Sequence, residues 1–87
     1  MRSSEDWILE ERSEHQHFIP WLESEPDPFV RIRVWQWLAD MVGMPGGRGT
    51  EERPGVFAAR VPRTSVGVIW TLDWESKQVI LARVGPI

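Results

Sequence analysis

In the C-terminal part of the chain apolar residues recur with a period of two. Phe57, Ala59 and Val61 fall on one face of a short run; Val66, Val68, Trp70 and Leu72 share a face of the next, with Ile69 opposite. Val79 and Leu81 then alternate with Ile80, Ala82 and Val84. Alternation of this kind predicts strands over residues 56–61, 66–72 and 78–84. Pro62-Arg63-Thr64-Ser65 joins the first two, and Asp73-Trp74-Glu75-Ser76-Lys77 reads as a hairpin loop, so the three form an antiparallel meander. The second and third runs are apolar on both faces, as befits strands central to a sheet that helices cover.

Before residue 44 the spacing is helical. Val30, Val34, Trp37, Leu38 and Met41 line one helix face. Asp27 suits the N-cap and Pro28 the first helical position, where a missing N–H costs nothing; Gly43 and Pro45 supply a stop. Residues 30–34 also alternate as a strand would, but the cap, the length and the stop favour helix. Upstream of the break at Glu25-Pro26-Asp27-Pro28, Phe18, Trp21 and Leu22 recur at helical spacing. Ser13 and Gln16 fit a capping box, and Pro20 limits regular helix on its N-terminal side. Residues 5–12 read either as a helix opened by Ser3 and Asp6 or as a strand over 7–11; strand followed by helix is the preferred order. Residues 44–54, with Pro45-Gly46-Gly47-Arg48-Gly49, read as a flexible connector. A phosphate-cradling loop would need a strand before it and a helix after, whereas here strands follow. The expected fold class is α+β: two N-terminal helices packed on a three- to four-stranded, mainly antiparallel sheet, in one domain spanning residues 1–87.

Composition narrows the function. The 87 residues include six tryptophans, three phenylalanines and no cysteine, so disulfides and thiolate-bound zinc are excluded and an aromatic-rich core must hold the fold. No apolar run reaches the ~18 residues of a membrane span, and Met1-Arg-Ser-Ser-Glu-Asp carries no signal-peptide pattern; the expected location is cytoplasmic, without a membrane partner. The net charge of −3 is unevenly spread. Residues 1–27 hold eight acids against Arg2 and Arg12, a net of −6, whereas residues 28–87 hold eight basic groups against five acids, a net of +3. A basic face is the usual footprint of nucleic-acid binding, and only the C-terminal part carries one, weakly; solvated helix and strand edges account for the same pattern.

Little else offers catalytic chemistry. His15 and His17 point to different faces of a helix and have no third ligand nearby, so no metal or other cofactor is expected. Arg60 lies mid-strand on the face of Val56 and Ala58. Arg53, Arg63 and Arg83 neighbour it if the strands pair as a meander, and guanidinium groups match phosphate in a bidentate fork. The plainer alternative is a solvent-facing row paired with Glu51, Glu52 or Glu75. Trp70 and Trp74 offer stacking surfaces for bases, although a strand tryptophan among apolar neighbours usually belongs to the core.

The order strand, two helices, loop, three antiparallel strands resembles the RelE/ParE superfamily of type II toxins. The resemblance is carried by Val56-Phe-Ala-Ala-Arg-Val61, Val66-Gly-Val-Ile-Trp-Thr-Leu-Asp73 and Gln78-Val-Ile-Leu-Ala-Arg-Val-Gly85, and over the N-terminal half by element order and length alone. It implies a protein of a toxin–antitoxin system whose partner is a cognate antitoxin, and whose target is mRNA at the ribosome or DNA gyrase. If the chain is an enzyme, the resemblance implies an endoribonuclease. Arg60 and Arg83 would then stabilise phosphate charge, with Arg53 and Arg63 holding the nucleic acid. A non-catalytic protein-binding module of the same fold, such as a gyrase inhibitor or accessory protein, is the alternative. Cleaving relatives usually continue past the last strand with His, Lys or Arg and often a Tyr; here Pro86 and Ile87 follow Gly85, the chain has no tyrosine, and Lys77 is its one lysine.

Overall fold

The computed structural model describes residues 6–87. The first strand, β1, is only Ile8–Leu9 and is followed directly by helix. Of the two readings of residues 5–12, strand then helix is the one observed, though the strand is shorter than 7–11; Ser3 and Ser4 lie outside the described residues. The first helical segment, α1, covers residues 11–24 in three parts: α-helix at Glu11–Ser13, a π-helical turn at Glu14–Phe18, and α-helix again at Ile19–Ser24. Pro20 sits in the first turn of that last part. Having no N–H, it cannot close an ordinary i→i−4 bond, and the wide turn lies immediately upstream.

Ser13 does not cap the helix as its spacing to Gln16 predicts. The N-cap is Glu10, whose carboxylate accepts from the Ser13 amide at 3.1 Å. Ser13 is instead buried, with its hydroxyl donating to the Glu10 carbonyl at 3.0 Å and accepting from the Leu81 amide at 3.0 Å. That amide lies on the edge of the last strand beyond the reach of two-residue β1, so a hydroxyl from α1 completes the strand's hydrogen bonding.

The second helix, α2, is Pro28–Gly43, and Asp27 caps it as expected by accepting from the Phe29 amide at 2.9 Å. Val34, Leu38 and Met41 are buried, with Val30 and Trp37 packed against them, so the predicted face is the one that meets the sheet. Gly43 closes the helix without a left-handed conformation, and the stop comes at Met44 (φ −148°, ψ 67°), which leaves the helical region just before Pro45.

The remaining strands are β2 (Thr50–Arg53), β3 (Val56–Arg60), β4 (Val66–Asp73) and β5 (Gln78–Pro86). They form a five-stranded mixed sheet in the order β1-β5-β4-β3-β2, parallel only at β1–β5. The architecture is therefore α+β with two helical segments, but the sheet has five strands rather than three or four. The added strand is β2, within the stretch whose composition reads as loop. All four of its residues are exposed and polar, and only pairing with β3 defines it: Thr50 opposite Ala58, Glu51 opposite Phe57, Arg53 opposite Val56. Residues 44–54 are also anchored rather than a free connector. The Pro45 carbonyl accepts from the indole N–H of Trp70 at 3.2 Å, and Gly49 lies against Trp70 and the Ala58 carbonyl.

One face of the sheet packs on the helices. Trp70 is fully buried there, stacked on Phe57 with ring centroids 5.9 Å apart and edge-on to Trp37 at 5.9 Å. It is a core residue, and its ring is closed to any base. Among the described residues no helix is long and apolar enough to cross a membrane.

Candidate functional site on the open sheet face

The face of the sheet turned away from the helices is built by β3, β4 and β5. Alternation puts Ala58 and Arg60 of β3 on it, and the register sets Gly67 opposite Arg60 and Ile69 opposite Ala58. A bulge in β5 shifts the pairing, so that Trp70 faces Leu81 while Ile69 faces Arg83. Ala82 is the extra residue. The bulge therefore turns Arg83 onto the same face as Arg60, whereas strict alternation from Leu81 would have put it on the face that the helices cover.

Arg60 and Arg83 line one concave surface of about 340 Å³, together with Thr50, Glu52, Ala58, Ile69 and Ile87. Gly67 forms part of its floor. A methyl group there would stand 2.5 Å from the Ile87 side chain, so the missing Cβ is what leaves room for Ile87 over β4. The Ile87 amide donates to the Ser65 carbonyl at 3.0 Å and fixes the end of the strand. Arg83 is oriented by its own strand, donating from Nη2 to the Pro86 carbonyl at 3.2 Å. Both guanidinium groups are exposed, so their charge is available to a ligand.

Two of the four arginines singled out in the sequence thus come together. Arg53 pairs with Val56, four residues along β3 from Arg60, which is ~13 Å at strand rise, and it is not part of the concave wall. Arg63 occupies a left-handed position (φ 65°) in the turn between β3 and β4, exposed and also off the wall.

The sequence offers Glu52 only as one of three partners for a solvent-facing arginine row, because nothing in it marks β2 as a strand. The register of β2 shifts between Glu51 and Arg53, and Glu52 is the residue left over. Glu51 spends its carboxylate on the turn, accepting from the Gly55 amide at 2.9 Å. Glu52 instead lines the wall with Arg60 and Arg83. The surface therefore offers two permanent cations, one carboxylate, the Thr50 hydroxyl and an apolar floor. Fixed guanidinium groups stabilise a phosphate that gains charge, and a carboxylate beside them can take a proton.

The other histidine and tryptophan candidates lie elsewhere. Nδ1 of His15 is 2.9 Å from the Glu11 carbonyl on the exposed side of α1. Trp74 sits in the β4–β5 hairpin, edge-on to Trp7 at 5.0 Å, with the Lys77 ammonium 5.4 Å from the Trp7 ring centroid. Asp73 organises that hairpin, accepting from the amides of Glu75 at 3.1 Å and Ser76 at 3.4 Å. Hydrogen bonds from Ser76, hydroxyl first and then amide, hold the Asp73 carboxyl below its ordinary value.

The fold these elements make is that of the RelE toxins. The chain is similar to the crystal structure of the isolated Escherichia coli RelE toxin, with a TM-score of 0.65 and 14% identity over 92% of this chain and 82% of that one. It is similar to an E. coli RelE double arginine-to-alanine mutant in complex with an antitoxin RelBc peptide (TM-score 0.65, 13% identity, 93% and 82% covered). The same mutant in the free state gives a TM-score of 0.62 at 14% identity, covering 92% and 81%. The sequence matches no protein-family model and no curated protein sequence.

Proposed function

We propose that this chain is a toxin of a toxin–antitoxin pair that cleaves RNA on the open face of its sheet. The observation that carries the reading is the meeting of Arg60, Arg83 and Glu52 on one concave wall. The RelE-like fold supports it, and the complex of RelE with an antitoxin peptide supports an antitoxin as the partner of this chain. The substrate in this reading is mRNA in the cytoplasm.

In this reading Arg60 and Arg83 grip the non-bridging oxygens of one phosphodiester. Glu52 accepts the proton of the neighbouring 2′-hydroxyl as that oxygen attacks phosphorus. The 2′-oxygen–phosphorus bond forms, the bond to the 5′-oxygen breaks, and the proton held by Glu52 passes to the departing 5′-oxygen. The products are a 2′,3′-cyclic phosphate and a 5′-hydroxyl. The charge that builds on the phosphorane is met by guanidinium groups already in place, the contribution that most lowers such barriers. Arg53 and Arg63, outside the wall, act by holding flanking backbone.

Induction of the chain alone and beside its candidate antitoxin, with RNA integrity followed, tests this. Growth arrest with cleaved mRNA, lost in Arg60→Ala and Glu52→Gln and relieved by the partner, is the expected result. Intact RNA during strong expression of folded protein would refute it.

A further inference from the structure

A second cleft adjoins the first. It measures about 380 Å³ and lies between α1 and the end of β5, lined by Gln16, His17 and Trp21 on one side and by Arg83, Gly85 and Pro86 on the other. Arg83 is common to both clefts, so the two meet at its guanidinium. A guanidinium has five N–H donors, and the bond to the Pro86 carbonyl engages only part of the group.

We infer that this cleft is a backbone subsite for the RNA strand, continuing the path of the strand from the Arg60–Arg83 wall around Arg83 to Gln16 and His17. The inference rests on the reading of the first cleft as an RNA site. Three features of the second cleft support it. Its lining contains no carboxylate, although α1 carries Glu11, Glu14 and Glu23; those acids are turned elsewhere. Gln16 and His17 both stand on the π-helical turn, a wide turn that is uncommon and concentrated at functional places, and it packs directly on β5. The amide of Gln16 and the imidazole N–H of His17 are donors suited to phosphate oxygens.

The chemistry also limits what is read there. The Trp21 ring is buried and stacked on Phe18, with centroids 6.1 Å apart and planes at 23°, so it offers no open face to a base. The subsite therefore recognises phosphate and sugar irrespective of sequence, as grooves that track single strands do.

Binding of 2′-O-methyl oligoribonucleotides, which cannot be cleaved, tests the path by fluorescence anisotropy with a two-nucleotide and a six-nucleotide probe. The longer probe is expected to bind about tenfold more tightly, the scale of one charge-assisted contact. Gln16→Glu and His17→Ala should each remove most of that gain and leave the dinucleotide unaffected, whereas Arg60→Ala should weaken both probes. Gln16 is exposed, so its substitution reports on the cleft even if the half-buried His17 proves needed for folding. If the longer probe keeps its full advantage in Gln16→Glu and in folded His17→Ala, the subsite is overturned while the first site stands. If Arg60→Ala leaves dinucleotide binding unchanged, the RNA reading of the first site fails and the subsite fails with it. Preferential binding of an acidic peptide over the hexanucleotide at this cleft would also overturn the assignment.

Discussion

Replacing Gly49 with alanine tests how the loop after α2 is held against the sheet. A Cβ at that position would stand 2.6 Å from the Ala58 carbonyl oxygen and 2.6 Å from the far edge of the Trp70 ring. Carbon contacts settle at roughly 3.5–4.0 Å, so about 1 Å must be found. Neither neighbour can retreat cheaply. Ala58 is paired on both sides, with Thr50 of β2 and Ile69 of β4, and Trp70 is wedged between Trp37 and Phe57. Overpacking of this kind costs about 1–3 kcal/mol. For a domain of this length that lowers the melting temperature by roughly 4–24 °C. Gly67→Ala provides the control. Its Cβ would also be close, 2.5 Å from Ile87, but that neighbour is an exposed side chain that can swing aside, so stability should change by less than about 0.5 kcal/mol. Thermal unfolding of both variants, followed by near- and far-ultraviolet circular dichroism, separates the cases. A Gly49→Ala protein melting with the wild type, or Gly67→Ala falling as far as Gly49→Ala, would refute this account of the packing.

Ser13→Ala should destabilise by about 1–3 kcal/mol in urea unfolding, because it strands the buried Leu81 amide without an acceptor. An unchanged midpoint would mean that the hydroxyl is not the acceptor. For Asp73 the sign follows from a folded-state pKa held below the unfolded one: its contribution is full above the unfolded value of 3.8 and fades as pH falls through the folded value. Asp73→Asn should therefore flatten part of the acid limb of a stability–pH curve below about pH 4. An identical limb in both proteins would contradict that role.

Much of the fold was legible because apolar burial and local capping dictated it. The Val56-to-Val61 and Val66-to-Leu72 alternation, the Asp27 cap and the Val34–Leu38–Met41 face all state their structure within a few residues. What was hidden depends on distant partners. β2 is Thr-Glu-Glu-Arg, with no buried residue to signal a strand, and it exists only against β3. Ser13 carries a plausible local capping pattern, yet its hydroxyl serves Leu81, 68 residues away. The candidate site divides in the same way. Arg60 could be placed on the open face by alternation, and a meander brings the strand of Arg83 near it, but only the bulge at Ala82 turns Arg83 onto that face. Arg53 and Arg63 looked equivalent, but register put one at the far end of β3 and strand turning put the other at a loop tip. Glu52 could not be singled out from Glu51 and Glu75, because a bulge in an unrecognised strand aims it.

The central claim is that Arg60, Arg83 and Glu52 act together on one RNA phosphodiester through its 2′-hydroxyl. The direct measurement follows cleavage of a short RNA, on programmed ribosomes, by purified protein, with a single 2′-deoxy nucleotide placed at the mapped cut. Loss of cleavage at that position alone, 2′,3′-cyclic phosphate ends at the all-ribose cut, and rates reduced at least a hundredfold by Glu52→Gln, within the usual ~10²–10⁴ range for a lost general base, are predicted. Cleavage that persists at the 2′-deoxy position, or a Glu52→Gln protein as fast as the wild type, would contradict the account.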